Sequence, residues 1–195
     1  MRYSQIKRLL DLFFALALVL ILSPILLGVA VVLILTQGKP VFFLQKRAGL
    51  GGSFFSVLKF RTMQIRSDGA VQEDSERLTK LGGFLRRFSI DEIPQLFNIV
   101  RGDMSFVGPR PLLAEYLPLY SENERRRHQV RPGITGLAQI NGRNEVEWRQ
   151  RFIFDVEYVD RCSFLMDCAI LAKTLWLVPK GEGTRMAEKF VAPFR

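Results

Sequence analysis

Ser89-Ile90-Asp91-Glu92-Ile93-Pro94-Gln95-Leu96 sets two carboxylates side by side at the edge of an apolar run. Ser89 and Glu92 fit the S-x-x-E capping box, which gives the octapeptide a structural use. Proline belongs at or near the first turn of a helix and not deeper. Asp91 and Glu92 therefore fall in a first turn under either reading. There, unpaired N–H groups and partial positive charge favour anions and keep carboxylates ionised. An ionised aspartate beside a bound phosphate and Mg2+ is equipped to attack phosphorus. Capping and nucleophilic catalysis both remain open on these eight residues.

Cations gather around the pair. Arg86 and Arg87 precede it closely, and Arg110 sits between two prolines in Gly108-Pro109-Arg110-Pro111. Arg131 and Arg143 flank the turn-rich stretch from Pro132 to Gly142. Guanidinium forks match phosphate oxygens. One arginine is an ordinary surface charge, but several on rigid Gly/Pro loops point to a polyphosphate site. The glycines fit neither the P-loop nor the dinucleotide fingerprint.

The whole chain carries a net charge of +9 over 195 residues, which implies an anionic partner: nucleic acid, lipid headgroups or phosphorylated substrates. Its one histidine, His128, and two cysteines, Cys162 and Cys168, exclude a zinc site or a disulfide framework. The cysteines read as buried, reduced thiols.

Leu12 to Leu35 holds no charge over 24 positions, and 18 of these are Leu, Ile, Val or Phe. Such a run favours the bilayer by roughly 5–10 kcal/mol. It is too long for a signal-peptide core and lacks a small-residue cleavage pattern. Ser23-Pro24 falls in its middle, and proline costs a helix about 3 kcal/mol. The segment should thus still insert, but bent. Arg2, Lys7 and Arg8 precede the run, while Lys39, Lys46 and Arg47 follow it. Holding both flanks in the cytoplasm favours a re-entrant helix–break–helix hairpin, with a proline-kinked spanning helix as the alternative.

Beyond Pro40 the pattern turns globular. Short strands are expected at Val41-Phe42-Phe43 and 54–60, with Gly49-Leu50-Gly51-Gly52 as the turn between them. A mobile loop is expected over 64–77. Helices are expected near 77–87, 90–101 and 113–128, separated by loops at 102–111 and 133–142. Residues 145–178 read as amphipathic helices that either pack into the core or lie in the headgroup plane. The predicted architecture is α/β, helix-dominated with a few short strands. Residues 1–38 form a membrane anchor and 39–195 a catalytic domain.

Six ordered blocks carry a family resemblance along the full chain: Lys7-Arg8-Leu9-Leu10-Asp11, Ser23-Pro24, Lys59-Phe60-Arg61-Thr62-Met63, Ser89 to Leu96, Gly102 to Pro111, and Arg131 to Arg143. The chain resembles the monotopic phosphoglycosyl transferases of the bacterial sugar transferase family. Arg110-Pro111-Leu112-Leu113-Ala114-Glu115-Tyr116-Leu117-Pro118 is most similar to the small initiators of protein glycosylation.

That resemblance implies transfer of a sugar 1-phosphate, N-acetylated in those initiators, from a UDP-sugar to undecaprenyl phosphate, with release of UMP. Asp91 would be the covalent nucleophile and a Mg2+ ligand. Glu92 would serve as base or help place the metal. Lys59, Arg86 and Arg110 would bind phosphate, and Arg143 the nucleotide end. It also implies phospholipid contact at the cytoplasmic face of the bacterial inner membrane. A homo-oligomer and contacts with downstream glycosyltransferases are compatible with it. Two other classes compete. An anchored nucleic-acid or lipid binder lacks aromatics interleaved with its basic residues. A non-catalytic scaffold leaves the Asp-Glu pair without a use.

Overall fold

A computed structural model describes residues 3–64, 77–141 and 147–177. Arg143 and nearly all of the loop expected at 64–77 lie outside them.

Helix α1 spans Tyr3–Gln37 without interruption, about 52 Å at 1.5 Å per residue. The expected break at Ser23-Pro24 does not end it; Pro24 lies inside. Proline at 24 leaves the carbonyl of Leu20 without its N–H partner. The Ser23 hydroxyl donates to that carbonyl at 2.7 Å and takes the missing donor's place. The dipeptide therefore carries its own repair, and the helix continues.

One face of α1 packs against the rest of the chain along its length. Ala15 joins Val57, Leu96, Ile99 and Met104 in one core cluster. Leu33 joins Phe60 and Leu85 in a second. The opposite face leaves Phe13, Leu20, Ile21, Leu27 and Leu35 exposed. Both ends of α1 are held by the same body. Near its start, Tyr3 and Lys7 bind Asp167, the lysine at 2.5 Å. Arg8 donates to the carbonyls of Ile99 and Val100 at 2.5 and 3.0 Å. At its end, Arg61 donates to the carbonyls of Gln37 and Gly38 at 2.6 and 2.7 Å. These last contacts cap the helix's negative pole with a buried cation.

Strands β1 (Phe42–Ala48) and β2 (Phe54–Phe60) form an antiparallel hairpin, with Phe43 opposite Lys59 and Arg47 opposite Phe55. Gly51 and Gly52 turn the chain between them at positive φ. Helix α2 (Lys80–Arg87) is capped by Thr79, whose side chain accepts from Gly82 N–H. A 3-10 turn at Ile90–Glu92 leads into α3 (Gln95–Arg101), which ends on Gly102 at φ 95°.

The capping box expected at Ser89 and Glu92 is absent. Ser89 is left-handed at φ 56° and makes no side-chain cap. The Glu92 carboxylate is engaged by side-chain cations instead of reaching back to residue 89. A complete capping box occurs at Ser121 and Glu124.

The stretches expected as loops at 102–111 and 133–142 contain short elements. β3 (Ser105–Val107) pairs parallel with β4 (Gly133–Thr135), followed by α5 (Leu137–Ile140) after Gly136. Here two backbones approach too closely for side chains. A Cβ on Gly133 would lie 2.1 Å from Gly108 N, and one on Gly108 2.3 Å from the Arg131 carbonyl.

The helix expected near 113–128 is a succession of a 3-10 helix at Ala114–Leu119, α4 (Glu122–Arg125) and a 3-10 turn at Arg126–Gln129. Pro118 lies inside the first piece, and Ser121 caps a fresh start. The tail forms α6 (Trp148–Arg161) and α7 (Phe164–Leu177). Val107, Tyr158 and Ile170 pack in a third cluster, while Phe164, Leu165, Leu175 and Trp176 face outward. Core packing, one of the two uses foreseen for these helices, is thus present. Cys162 and Cys168 are unpaired as expected, but Cys162 is only half-buried and Cys168 is exposed, because it lies on the outer face of α7.

Candidate active site

The 3-10 turn places Asp91 and Glu92 in different surroundings although they are sequence neighbours. Successive residues on so tight a turn point about 120° apart. Glu92 Oε1 accepts from Lys59 Nζ at 2.5 Å and from Arg110 Nη2 at 3.0 Å. The Asp91 side chain is buried yet has no hydrogen bond or ion pair among the described residues. One carboxylate is locked and its neighbour is available.

Both line a cavity of about 1180 Å³ that also exposes Arg47, Lys59, Arg86 and Arg110. Lys59 reaches it from β2. Arg110 reaches it from the Gly/Pro loop after β3. Arg86 comes from α2 and donates from Nε to Thr62 Oγ1 at 2.9 Å.

Burial pushes the Asp91 carboxyl above the usual range, helped by the charge of Glu92, while Lys59, Arg86 and Arg110 pull the other way. Burial acts on Glu92 in the same upward sense, but Arg110 and Lys59 outweigh it and hold the group at about 2. Glu92 therefore contributes stability that is fully present above its unfolded value of 4.5 and lost as pH falls toward about 2. We expect Glu92→Gln to lower the melting temperature at pH 7 and to lose most of that deficit between pH 4.5 and 2. A deficit that persisted unchanged at low pH would mean that packing, not charge, is what the substitution removes.

Of the residues expected at the site, Asp91, Glu92, Lys59, Arg86 and Arg110 come together in this cavity. Arg143 lies outside the described residues. Ser23 and Pro24 belong to α1 and do not line the cavity. Arg131 is used elsewhere, donating to the Gly102 carbonyl at 2.9 Å.

Sequence reasoning missed three contributors. Arg47 lines the cavity from β1, on the same strand face as Phe43 and Gln45, a period-two pattern that the sequence does carry. Burial and the charge of Arg110 lower its pKa to about 10. Arg127 and Asp155 form a buried ion pair, with Nε and Nη2 donating to Asp155 Oδ2 at 3.0 and 2.7 Å. Arg127 Nη2 also donates to the backbone carbonyl of Arg110 at 2.7 Å. Arg127 and Asp155 are 28 apart, and no sequence signal joins them.

For a divalent cation the available ligand is Asp91, since Glu92 is already neutralised by Lys59 and Arg110. No group of three or more potential metal ligands exists among the described residues. Mg2+ tolerates this, because it keeps several waters and needs only one or two carboxylates alongside substrate phosphates. An unpaired carboxylate ringed by cations is suited to group transfer at phosphorus.

The comparisons agree with that chemistry. Residues 2–181 match the family model described as bacterial sugar transferase. The chain is 50% identical over 189 residues to an uncharacterized sugar transferase, EpsL, of Bacillus subtilis, covering 96% of this chain and 94% of that protein. It is 42% identical over 181 residues to a UDP-glucose:undecaprenyl-phosphate glucose-1-phosphate transferase of Caulobacter vibrioides, with coverage of 87% and 68%. It is 36% identical over 197 residues to a UDP-galactose-lipid carrier transferase of Erwinia amylovora, with coverage of 91% and 41%. With nearly the whole chain aligned at these identities, the protein belongs to the bacterial sugar transferase family.

Proposed function

We propose that this enzyme moves a sugar 1-phosphate from a UDP-sugar to undecaprenyl phosphate through a covalent intermediate on Asp91. The available Asp91 carboxylate beside the locked Glu92 carries this reading. An Asp91 oxygen attacks the β-phosphorus. The bond from that phosphorus to the bridging oxygen breaks, and UMP leaves with the electron pair. A phosphate oxygen of the acceptor then attacks the same phosphorus, and Asp91 departs as a carboxylate. The products are UMP and an undecaprenyl diphosphate sugar. Lys59, Arg86 and Arg110 carry the charge of the pyrophosphate. Mg2+, held by Asp91 and the substrate phosphates, would supply further neutralisation there.

Glu92 holds Lys59 and Arg110 in place beside Asp91, since both donate to its Oε1. Arg143, expected at the nucleotide end, keeps that proposed role.

The purified full chain, given Mg2+ and a UDP-sugar without acceptor, should release UMP and gain the mass of one phosphosugar on Asp91. No adduct, together with normal product formation by Asp91→Asn, would overturn the covalent route. A panel of donors settles the sugar. The Caulobacter and Erwinia relatives are named for UDP-glucose and UDP-galactose. The resemblance to small initiators of protein glycosylation favours an N-acetylated one.

The same proposal extends to topology, with 1–38 as anchor and 39–195 as catalytic domain. A helix bound at both ends by one globular body cannot place those ends on opposite sides of a bilayer while that body stays on one side. We therefore read both ends of α1 as lying on one side of the bilayer, its exposed apolar face in lipid and the catalytic domain on the cytoplasmic face of the inner membrane. The outward Leu165, Leu175 and Trp176 of α7 support a helix resting at the headgroup level. Single cysteines near Tyr3 and Gly38, introduced with Cys162 and Cys168 replaced, should label from the same side of sealed vesicles. Labelling from opposite sides would sink this topology.

A further inference from the structure

The proposed reaction needs an acceptor with two incompatible ends, a phosphate that must reach Asp91 and a prenyl chain that must return to the bilayer. The hairpin register identifies where the change from polar to apolar occurs. Side chains directly opposite in an antiparallel pair share a face. Phe43 is opposite Lys59, and Gln45 and Arg47 follow on the same face of β1. All four line the cavity. Passing back along this face from Arg47, the wall is cationic, then neutral, then aromatic.

Phe43 is the residue where that wall turns apolar. It is 47% exposed, although its cross-strand neighbour Lys59 is held 2.5 Å from Glu92. Opposed residues have Cβ atoms about 5 Å apart. The ring therefore stands within one isoprene unit's reach of the cations that would bind phosphate. In the other direction, only residues 38–41 separate β1 from the end of α1, a span of at most about 14 Å. There Val31, Ile34 and Leu35 are exposed.

We propose that Phe43 is the acceptor-recognition residue, packing against the phosphate-proximal isoprene units of the polyprenyl phosphate. This inference rests on the proposed transfer, and its test separates the two. The full chain in lipid nanodiscs is assayed for transfer to undecaprenyl phosphate and to farnesyl phosphate, which retains only the proximal units. Formation of the Asp91 adduct without acceptor is followed in parallel.

Phe43→Ala should lower acceptor kcat/KM about tenfold or more for both acceptors. The rate of adduct formation should change by less than about twofold. Phe43→Leu, which keeps apolar bulk, should restore most of the loss. Three results would overturn the assignment: unchanged acceptor kinetics, an adduct rate that falls in step with transfer, or a loss confined to the long acceptor. The last would indicate general membrane anchoring. Absence of an adduct in the unaltered enzyme would instead count against the covalent reading, with the acceptor kinetics of Phe43→Ala still measurable from product.

Discussion

Asp91→Asn should abolish transfer and, at neutral pH, make the protein more stable. An amide cannot supply the attacking oxygen anion, so the loss should be at least ~10³-fold. The gain in stability follows from the carboxyl's surroundings. Burial, with the charge of Glu92, raises its pKa in the folded state, and three nearby cations only partly oppose this.

The native state thus keeps a proton to higher pH than the unfolded chain does. Between those two values native protein binds more protons, and stability falls as pH rises. Above both, the cost of holding an anion there is fully present; below the unfolded value of 3.8 it is absent. The neutral amide of the variant carries no such cost. Melting temperatures of the two proteins should differ at pH 7 and converge below about pH 4. A variant less stable than the parent at pH 7 would mean that the cations already outweigh burial. Adjacent Glu92 should show the reverse signature, so the pair is distinguishable by titration alone.

The second large effect is expected at Arg127. The Arg127–Asp155 pair is almost completely buried, with each side chain at or below 5% exposure. Removing one partner from such a pair leaves an uncompensated charge and typically costs ~3–5 kcal/mol. For a chain of this size that is a fall of roughly 6–20 °C in melting temperature. Arg127→Met should show it.

Burial already raises the Asp155 carboxyl, with Arg127 opposing. Losing the guanidinium should therefore push it up further, and the deficit of the variant should grow as pH rises through that range. Asp155→Leu combined with Arg127→Met should recover part of the loss, because two apolar side chains carry no desolvation cost. Activity should not recover with it. The backbone carbonyl of Arg110 still lacks its donor, and the guanidinium that clamps Glu92 loses its anchor. A double variant restored in both stability and rate would show that Arg127 serves folding alone.

Much of the site was legible in the chain because it rests on short-range chemistry. The Asp91-Glu92 dipeptide, the Arg86 that shortly precedes it, the proline-stiffened Arg110 and the family block containing Lys59 are local patterns, and all of them meet in one cavity. Phe42, Phe43 and the 54–60 segment read as strands because β-branched and aromatic residues suit a pleated hairpin. The uncharged stretch from Leu12 to Leu35 dictated a long apolar helix by hydropathy alone.

Folding in three dimensions decided the rest. Which of two neighbouring carboxylates is clamped depends on Lys59 and Arg110, which arrive from positions 33 and 18 residues away. Ser89 does not cap a helix because its backbone is left-handed at φ 56°, and the Glu92 carboxylate goes to Lys59 and Arg110 instead. The pairing of β3 with β4 required the backbones of Gly108 and Gly133 to meet from well-separated parts of the chain. Sequence patterns report what a residue can do with its near neighbours. Long-range electrostatics and close packing select among those options, because only the assembled chain brings the competing partners within bonding distance.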